Sequence, residues 1–112
     1  MNYRGQHVTF DAVLAEMPSS AELLSACEAA IEASGMNVVC RVQKDFRPQG
    51  LTAVWILEES HFSLHTYPEH GYISADCYTC GDEGNPLKAM DELQRLLNPK
   101  EFAQVVMPRG EV

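Results

Sequence analysis

The hydrophobic and polar positions divide the chain into eight segments. Gln6 to Leu14 holds a β-prone run, His7-Val8-Thr9-Phe10, and predicts a first strand. Pro18-Ser19-Ser20 punctuates it. Ser19 with Glu22 three positions on forms a capping box, in which side chain and backbone satisfy each other's open hydrogen-bonding groups at a helix start. Leu23, Leu24, Cys27 and Ile31 then recur at helical spacing on one face, with Glu28 and Glu32 off it, and Gly35 is a natural stop. Met36 to Val42 is β-branched and predicts a second strand. Arg47-Pro48-Gln49-Gly50 is a turn cluster. Leu51 to Leu57 is almost wholly apolar and predicts a central strand, which Glu58-Glu59 interrupts. Ser60 to Thr66 and Tyr72 to Tyr78 predict two more strands, joined through Pro68 to Gly71. Gly81 to Gly84 reads as a loop. Asn85 as cap and Pro86 at the first helical position open a second helix, whose apolar face is Leu87, Met90, Leu93 and Leu97. Glu101 to Val106 predicts a last strand and Pro108 to Val112 a tail.

The order is strand, helix, four strands, helix, strand. Adjacent strands in the middle favour antiparallel pairing. The expected fold is therefore α+β: a two-layer sandwich of a mainly antiparallel sheet with both helices on one face. The chain has 112 residues, enough for one domain spanning 1–112. Its apolar fraction of 46% against 21% charged residues allows a core.

The net charge of −8, from 16 acidic and 8 basic residues, argues against binding to a phosphate backbone and so against a nucleic-acid partner. It suits a cationic small molecule. No basic cluster points to a membrane surface. Met1 to Phe10 is polar, with the character of neither a signal peptide nor a membrane span, so an intracellular, cytoplasmic location is expected. Disulfides are rare there. Cys27, Cys40, Cys77 and Cys80 are then buried small hydrophobes, metal ligands or catalytic thiols.

The densest chemistry lies between residues 58 and 81, where three of the four histidines and two cysteines fall. The residues alone leave three readings open. Cys77, Cys80, His61 and His65 offer four zinc ligands, but two histidines four apart in a strand stand about 13 Å apart. Cys77-x-x-Cys80 is a redox spacing, but it lies in a strand rather than at a helix N-terminus, where a thiol pKa falls. A hydroxyl or thiol nucleophile assisted by His65 is the third reading.

A resemblance decides between them. Glu59-Ser60-His61-Phe62-Ser63-Leu64-His65-Thr66-Tyr67-Pro68-Glu69 is similar to the signature E-S-H-x-x-x-H-T-W/Y-P-E of prokaryotic S-adenosylmethionine decarboxylase proenzymes. The likeness continues through Gly71-Tyr72 and Asp76 to Gly81, and upstream in Phe46-x-Pro48-x-Gly50 and Gly5-x-His7. It implies no metal and no bound cofactor, but a pyruvoyl group that the chain makes from itself. In that family Ser60 would attack the carbonyl of Glu59, and the amide would become an ester. Elimination and hydrolysis would leave a β chain, 1–59, and an α chain, 60–112, beginning with pyruvoyl. That carbonyl would condense with the substrate amine and act as the electron sink for loss of CO2. By the same resemblance His65 assists processing, Cys80 donates a proton to the decarboxylated carbon, Phe46 and Tyr67 sandwich adenine and Glu69 holds the ribose hydroxyls. Cys77 would remain a core residue.

Two positions depart from the common pattern. Thr52 stands where well-known members carry a processing serine, and Tyr67 where many carry Trp. The expected activity is decarboxylation of S-adenosylmethionine for spermidine synthesis. Ornithine or arginine decarboxylation on the same scaffold, and a non-catalytic zinc or thiol module, are the alternatives. The resemblance also implies a homodimer with its sites at or near the subunit contact. One geometric tension stands out: Ser60 and His65 have opposite strand parity. If they cooperate, the backbone near Ser60 must be irregular before cleavage.

Overall fold

The computed structural model describes residues 3–58, 60–80 and 84–112. The elements are β1 (Gly5–Val13), α1 (Ser20–Ala33), β2 (Val38–Asp45), β3 (Leu51–Leu57), β4 (Ser60–Tyr67), β5 (Tyr72–Cys80), α2 (Pro86–Leu97) and β6 (Glu101–Arg109), with one 3-10 turn over Pro68–His70. The strands form a single six-stranded sheet in the order β2-β3-β4-β5-β1-β6, and every described pairing is antiparallel. This is the α+β two-layer sandwich that the segment order predicts.

The helix starts follow the sequence signals. Ser19 Oγ accepts from the backbone N–H of Glu22 while Glu22 Oε1 accepts from the N–H of Ser19, both at 3.1 Å. Asn85 Oδ1 accepts from Lys88 N–H, and Pro86 takes the first turn, where no donor is needed. The helices bury Leu23, Leu24, Cys27, Ala30, Ile31, Ala89, Met90 and Leu93 against one sheet face. That face supplies Val8, Phe10, Leu51, Trp55, Leu57, Phe62, Leu64 and Ile73, all 0–1% exposed. Glu28 on α1 ties the layers together. It accepts from buried Trp55 Nε1 at 3.1 Å and from Arg41 of β2 at 2.9 Å.

Strand alternation sends the other side chains to the opposite face, which neither α1 nor α2 covers. Three boundaries differ from expectation. The second strand runs Val38–Asp45 rather than from Met36, because Met36 turns into the core at 4% exposure. The first strand begins at Gly5, and Leu14 lies just past its end. The last strand continues through Pro108, paired with Gln6, to Arg109, so only 110–112 remain as a tail. It is an edge strand, where the N–H that proline lacks has no obligatory partner. The predicted loop over Gly81 to Gly84 lies, except for Gly84, outside the described residues.

Candidate active site

The sequence-predicted residues gather at two ends of the sheet. At one end, Phe46, Gln49, Gly50, Thr52, His65, Thr66, Tyr67 and Glu69 line an open cleft of about 280 Å³. The turn after β2 shapes it. Phe46 N–H donates to Gly50 O at 2.9 Å, and Gly50 sits at φ 107°, a left-handed conformation that side chains resist. Gly71, at φ 61°, closes the 3-10 turn that presents Glu69, and a Cβ there would meet Leu14 O at 2.9 Å. Phe46 and Tyr67 leave 48% and 45% of their surface exposed, which is large for aromatics and leaves ring area for a ligand. Tyr67 also packs on Tyr72, with ring centroids 5.5 Å apart. On the cleft floor Thr52 and His65 are register partners, and Thr52 Oγ1 lies 3.1 Å from His65 Nδ1.

Ser60 begins β4 at the other end, directly paired with Leu57, the last residue of β3. Its side chain is 9% exposed, and its Oγ is buried with no hydrogen-bond partner. A hydroxyl in that state costs free energy unless something uses it. The cleavage position Glu59 lies outside the described residues. Cys80 ends β5 at the same end of the sheet as Ser60, since His61 pairs with Tyr78. Cys80 is partly exposed and pairs with Gly5.

The sheet register runs without a break from Leu51↔Thr66 to Leu57↔Ser60. The irregularity that would bring Ser60 and His65 together in one chain is therefore not there. Ser60 faces the helices and His65 the uncovered face. Five residues of strand separate them, about 17 Å at roughly 3.3 Å per residue. The four zinc-ligand candidates are not assembled either. Cys77 is fully buried on the helix face, where desolvation pushes its thiol up to about 12, while His61 and His65 stand on the other face.

The structure instead assembles a cluster without a role in the sequence reading. Asp76 on β5 binds three side chains from two neighbouring strands. His7 Nε2 lies 2.6 Å and His61 Nε2 3.3 Å from its Oδ2, and Ser63 Oγ donates to its Oδ1. Burial pushes the Asp76 carboxyl up, but the bonds from His61, Ser63 and His7 outweigh it and hold the group well below the usual carboxylate range. In return, the hydrogen bond to Asp76 raises the His61 pKa, with burial opposing. The only advance signal was strand parity: His61 and Ser63 share a face, as do Asp76 and Tyr78. Their meeting with His7 depends on the β1–β5 register.

The family profile of S-adenosylmethionine decarboxylase matches residues 6–110. The chain belongs to the S-adenosylmethionine decarboxylase family. An S-adenosylmethionine decarboxylase proenzyme of Brevibacillus brevis is 42% identical over 110 residues, 95% of this chain and 82% of that protein. One from Persephonella marina is 42% identical over 85 residues, 76% of this chain but 64% of its own length, so this chain spans under two thirds of that relative. The crystal structure of the adenosylmethionine decarboxylase from Aquifex aeolicus superposes with a TM-score of 0.87 at 31% identity, covering 100% of this chain and 95% of that one. No helix among the described residues is long and apolar enough to cross a membrane.

Proposed function

We propose that this chain is a self-cleaving, pyruvoyl-dependent decarboxylase of S-adenosylmethionine, with Ser60 as the precursor of its prosthetic group. The buried, unpartnered Ser60 Oγ at the head of β4 carries the reading. A serine hydroxyl held beside its own preceding peptide, with no competing partner, has the proximity that intramolecular attack requires. The Oγ attacks the Glu59 carbonyl, and the acyl group passes from nitrogen to oxygen. Loss of the Cα proton then expels the Glu59 carboxylate, and hydrolysis of the dehydroalanine releases ammonia. When formed, the pyruvoyl group supplies an electrophilic carbonyl and an electron sink for decarboxylation.

The separation of the two ends supports a site shared between two copies. One chain holds Ser60 and Cys80 at one end of the strands, and Thr52, His65, Phe46, Tyr67 and Glu69 at the other. An isologous pairing puts unlike ends of two copies together. The uncovered face suits such a contact: its titratable centre is flanked by exposed Ile56, Val105 and Met107. In this arrangement His65 of a second copy, oriented by Thr52, takes the Cα proton during cleavage. Phe46 and Tyr67 clasp the adenine, Glu69 accepts from the ribose hydroxyls, and the Cys80 thiol returns a proton to the product carbon.

Release of labelled CO2 from S-adenosylmethionine, ornithine and arginine, assayed side by side, tests the substrate. Release from S-adenosylmethionine alone supports the reading. Release only from ornithine or arginine would contradict it.

A further inference from the structure

Cleavage before Ser60 would leave β4 with a new end, and that end would carry the reactive group. Strand ends fray unless something ties them down. After the cut, the covalent link through the β3–β4 turn is gone. What remains on the uncovered face is Asp76, which holds the side chains of both His61 and Ser63, the second and fourth residues of the new chain. The His61 ring also stacks on Tyr78, with centroids 5.9 Å apart at 30°.

Asp76 is itself fixed from behind. His7 Nε2 meets its Oδ2 at 2.6 Å, and Arg109 Nη1 approaches His7 Nδ1 at 3.1 Å. A guanidinium can only donate, so Nδ1 accepts and the His7 proton resides on Nε2, aimed at Asp76. This ordering also weighs against metal binding, although the ligand atoms of His7, His61 and Asp76 all lie within 4.8 Å of one another. A histidine that ligates through Nε2 donates from its other nitrogen, and here that nitrogen faces a donor. Arg109 lies over the Tyr78 ring as well, 5.4 Å from its centroid.

We infer that Asp76, braced by His7 and Arg109, is the anchor that ties down the cut end of β4 through His61 and Ser63, and so positions the group formed at residue 60. Asp76 is a positioning residue here; it touches no reacting atom. The inference rests on the cleavage reading above. The groups against His61 are His7 from β1 and Asp76 and Tyr78 from β5; Arg109 from β6 contacts His7 and Tyr78 in turn, and the register partner on β3 is apolar Ile56. Asp76 favours the charged imidazolium, which strengthens the tie.

The test compares Asp76→Asn in two backgrounds, the cleaved protein and the uncut Ser60→Ala protein. Amide hydrogen exchange is read at His61 to Ser63. In the cleaved protein, Asp76→Asn is expected to speed exchange there by about 10-fold or more, and in the uncut protein by less than about 2-fold, because the turn still holds the strand. In the cleaved enzyme kcat should fall about 10- to 100-fold with KM nearly unchanged, as for a misplaced reactive group. Ser63→Ala, which removes one tie and little else, should move both readouts the same way by less. Equal exchange in both backgrounds, or unchanged exchange in the cleaved protein, would overturn the anchor. So would an Asp76→Asn chain that folds but is not cut, since Asp76 would then act in cleavage. A wild-type chain that is never cut overturns the cleavage reading itself, which separates the two failures.

Discussion

Ser60 and His65 lie on opposite faces of strand β4, five residues apart along an unbroken register. This relation puts the serine hydroxyl among the helices and the histidine, with Thr52, on the face that no helix covers. One chain cannot close that gap without unzipping its central strands, and the proposed site therefore draws the two residues from two copies.

Co-expression of Ser60→Ala and His65→Ala chains therefore gives a sharp expectation. Each variant alone is inactive. A mixed dimer has one intact site, formed by Ser60 of one copy and His65 of the other. Random mixing should recover about a quarter of wild-type decarboxylation, since half the dimers are hybrids with one working site of two. Activity indistinguishable from background in purified hybrids would show that the site lies within one chain.

In the cleft, Glu69→Gln should act on binding more than on chemistry. A charge-assisted hydrogen bond to a ribose hydroxyl contributes about 1.5–3 kcal/mol, so KM should rise about 10- to 100-fold with kcat changed much less. Steady-state kinetics with S-adenosylmethionine checks this. An unchanged KM would remove Glu69 from the substrate site.

The Asp76–His61 pair predicts a pH window for stability. His61 has its pKa raised by Asp76 in the folded protein, so its contribution is fully present below the ordinary histidine value of 6.5 and is lost as pH rises through the raised value. Asp76 has its pKa lowered, so its contribution is present above the ordinary 3.8 and is lost as pH falls through the lowered value. The stability difference between the uncut protein and its Asp76→Asn variant should therefore be largest between pH 3.8 and 6.5 and shrink on both sides. Unfolding midpoints across pH measure it. A difference that does not shrink below pH 3.8 and above pH 6.5 would mean the pair is not charged in the folded state.

Glu28 links helix to sheet through the buried Trp55 indole N–H. Glu28→Ala leaves that donor unsatisfied and should cost about 1–3 kcal/mol, a fall in Tm of several degrees for a domain of this size. Glu28→Gln keeps an acceptor and should lose less. Thermal unfolding of the two variants gives the comparison.

The fold was readable because its signals are local. The Ser19–Glu22 box and the Asn85-Pro86 start are written in adjacent residues, and both caps form as expected. The last strand was cut short because Pro108 reads as a breaker, and only its edge position makes it harmless. The cleft residues were singled out by resemblance rather than by spacing. Phe46, Thr52, His65, Tyr67 and Glu69 do share one cleft, but no periodicity singles them out. The Asp76 cluster was not readable. His7 and Asp76 stand 69 positions apart, and only the sheet order that places β1 beside β5 joins them. The distance between Ser60 and His65 was half-visible, as a clash of strand parity that the unbroken β3–β4 register keeps.

Denaturing mass spectrometry of the purified protein tests the central claim most directly. Two fragments are predicted, 1–59 and 60–112, the second beginning with a pyruvoyl group in place of Ser60, and a single intact chain after Ser60→Ala. An uncut 12.5 kDa wild-type chain in a preparation that decarboxylates S-adenosylmethionine would contradict it.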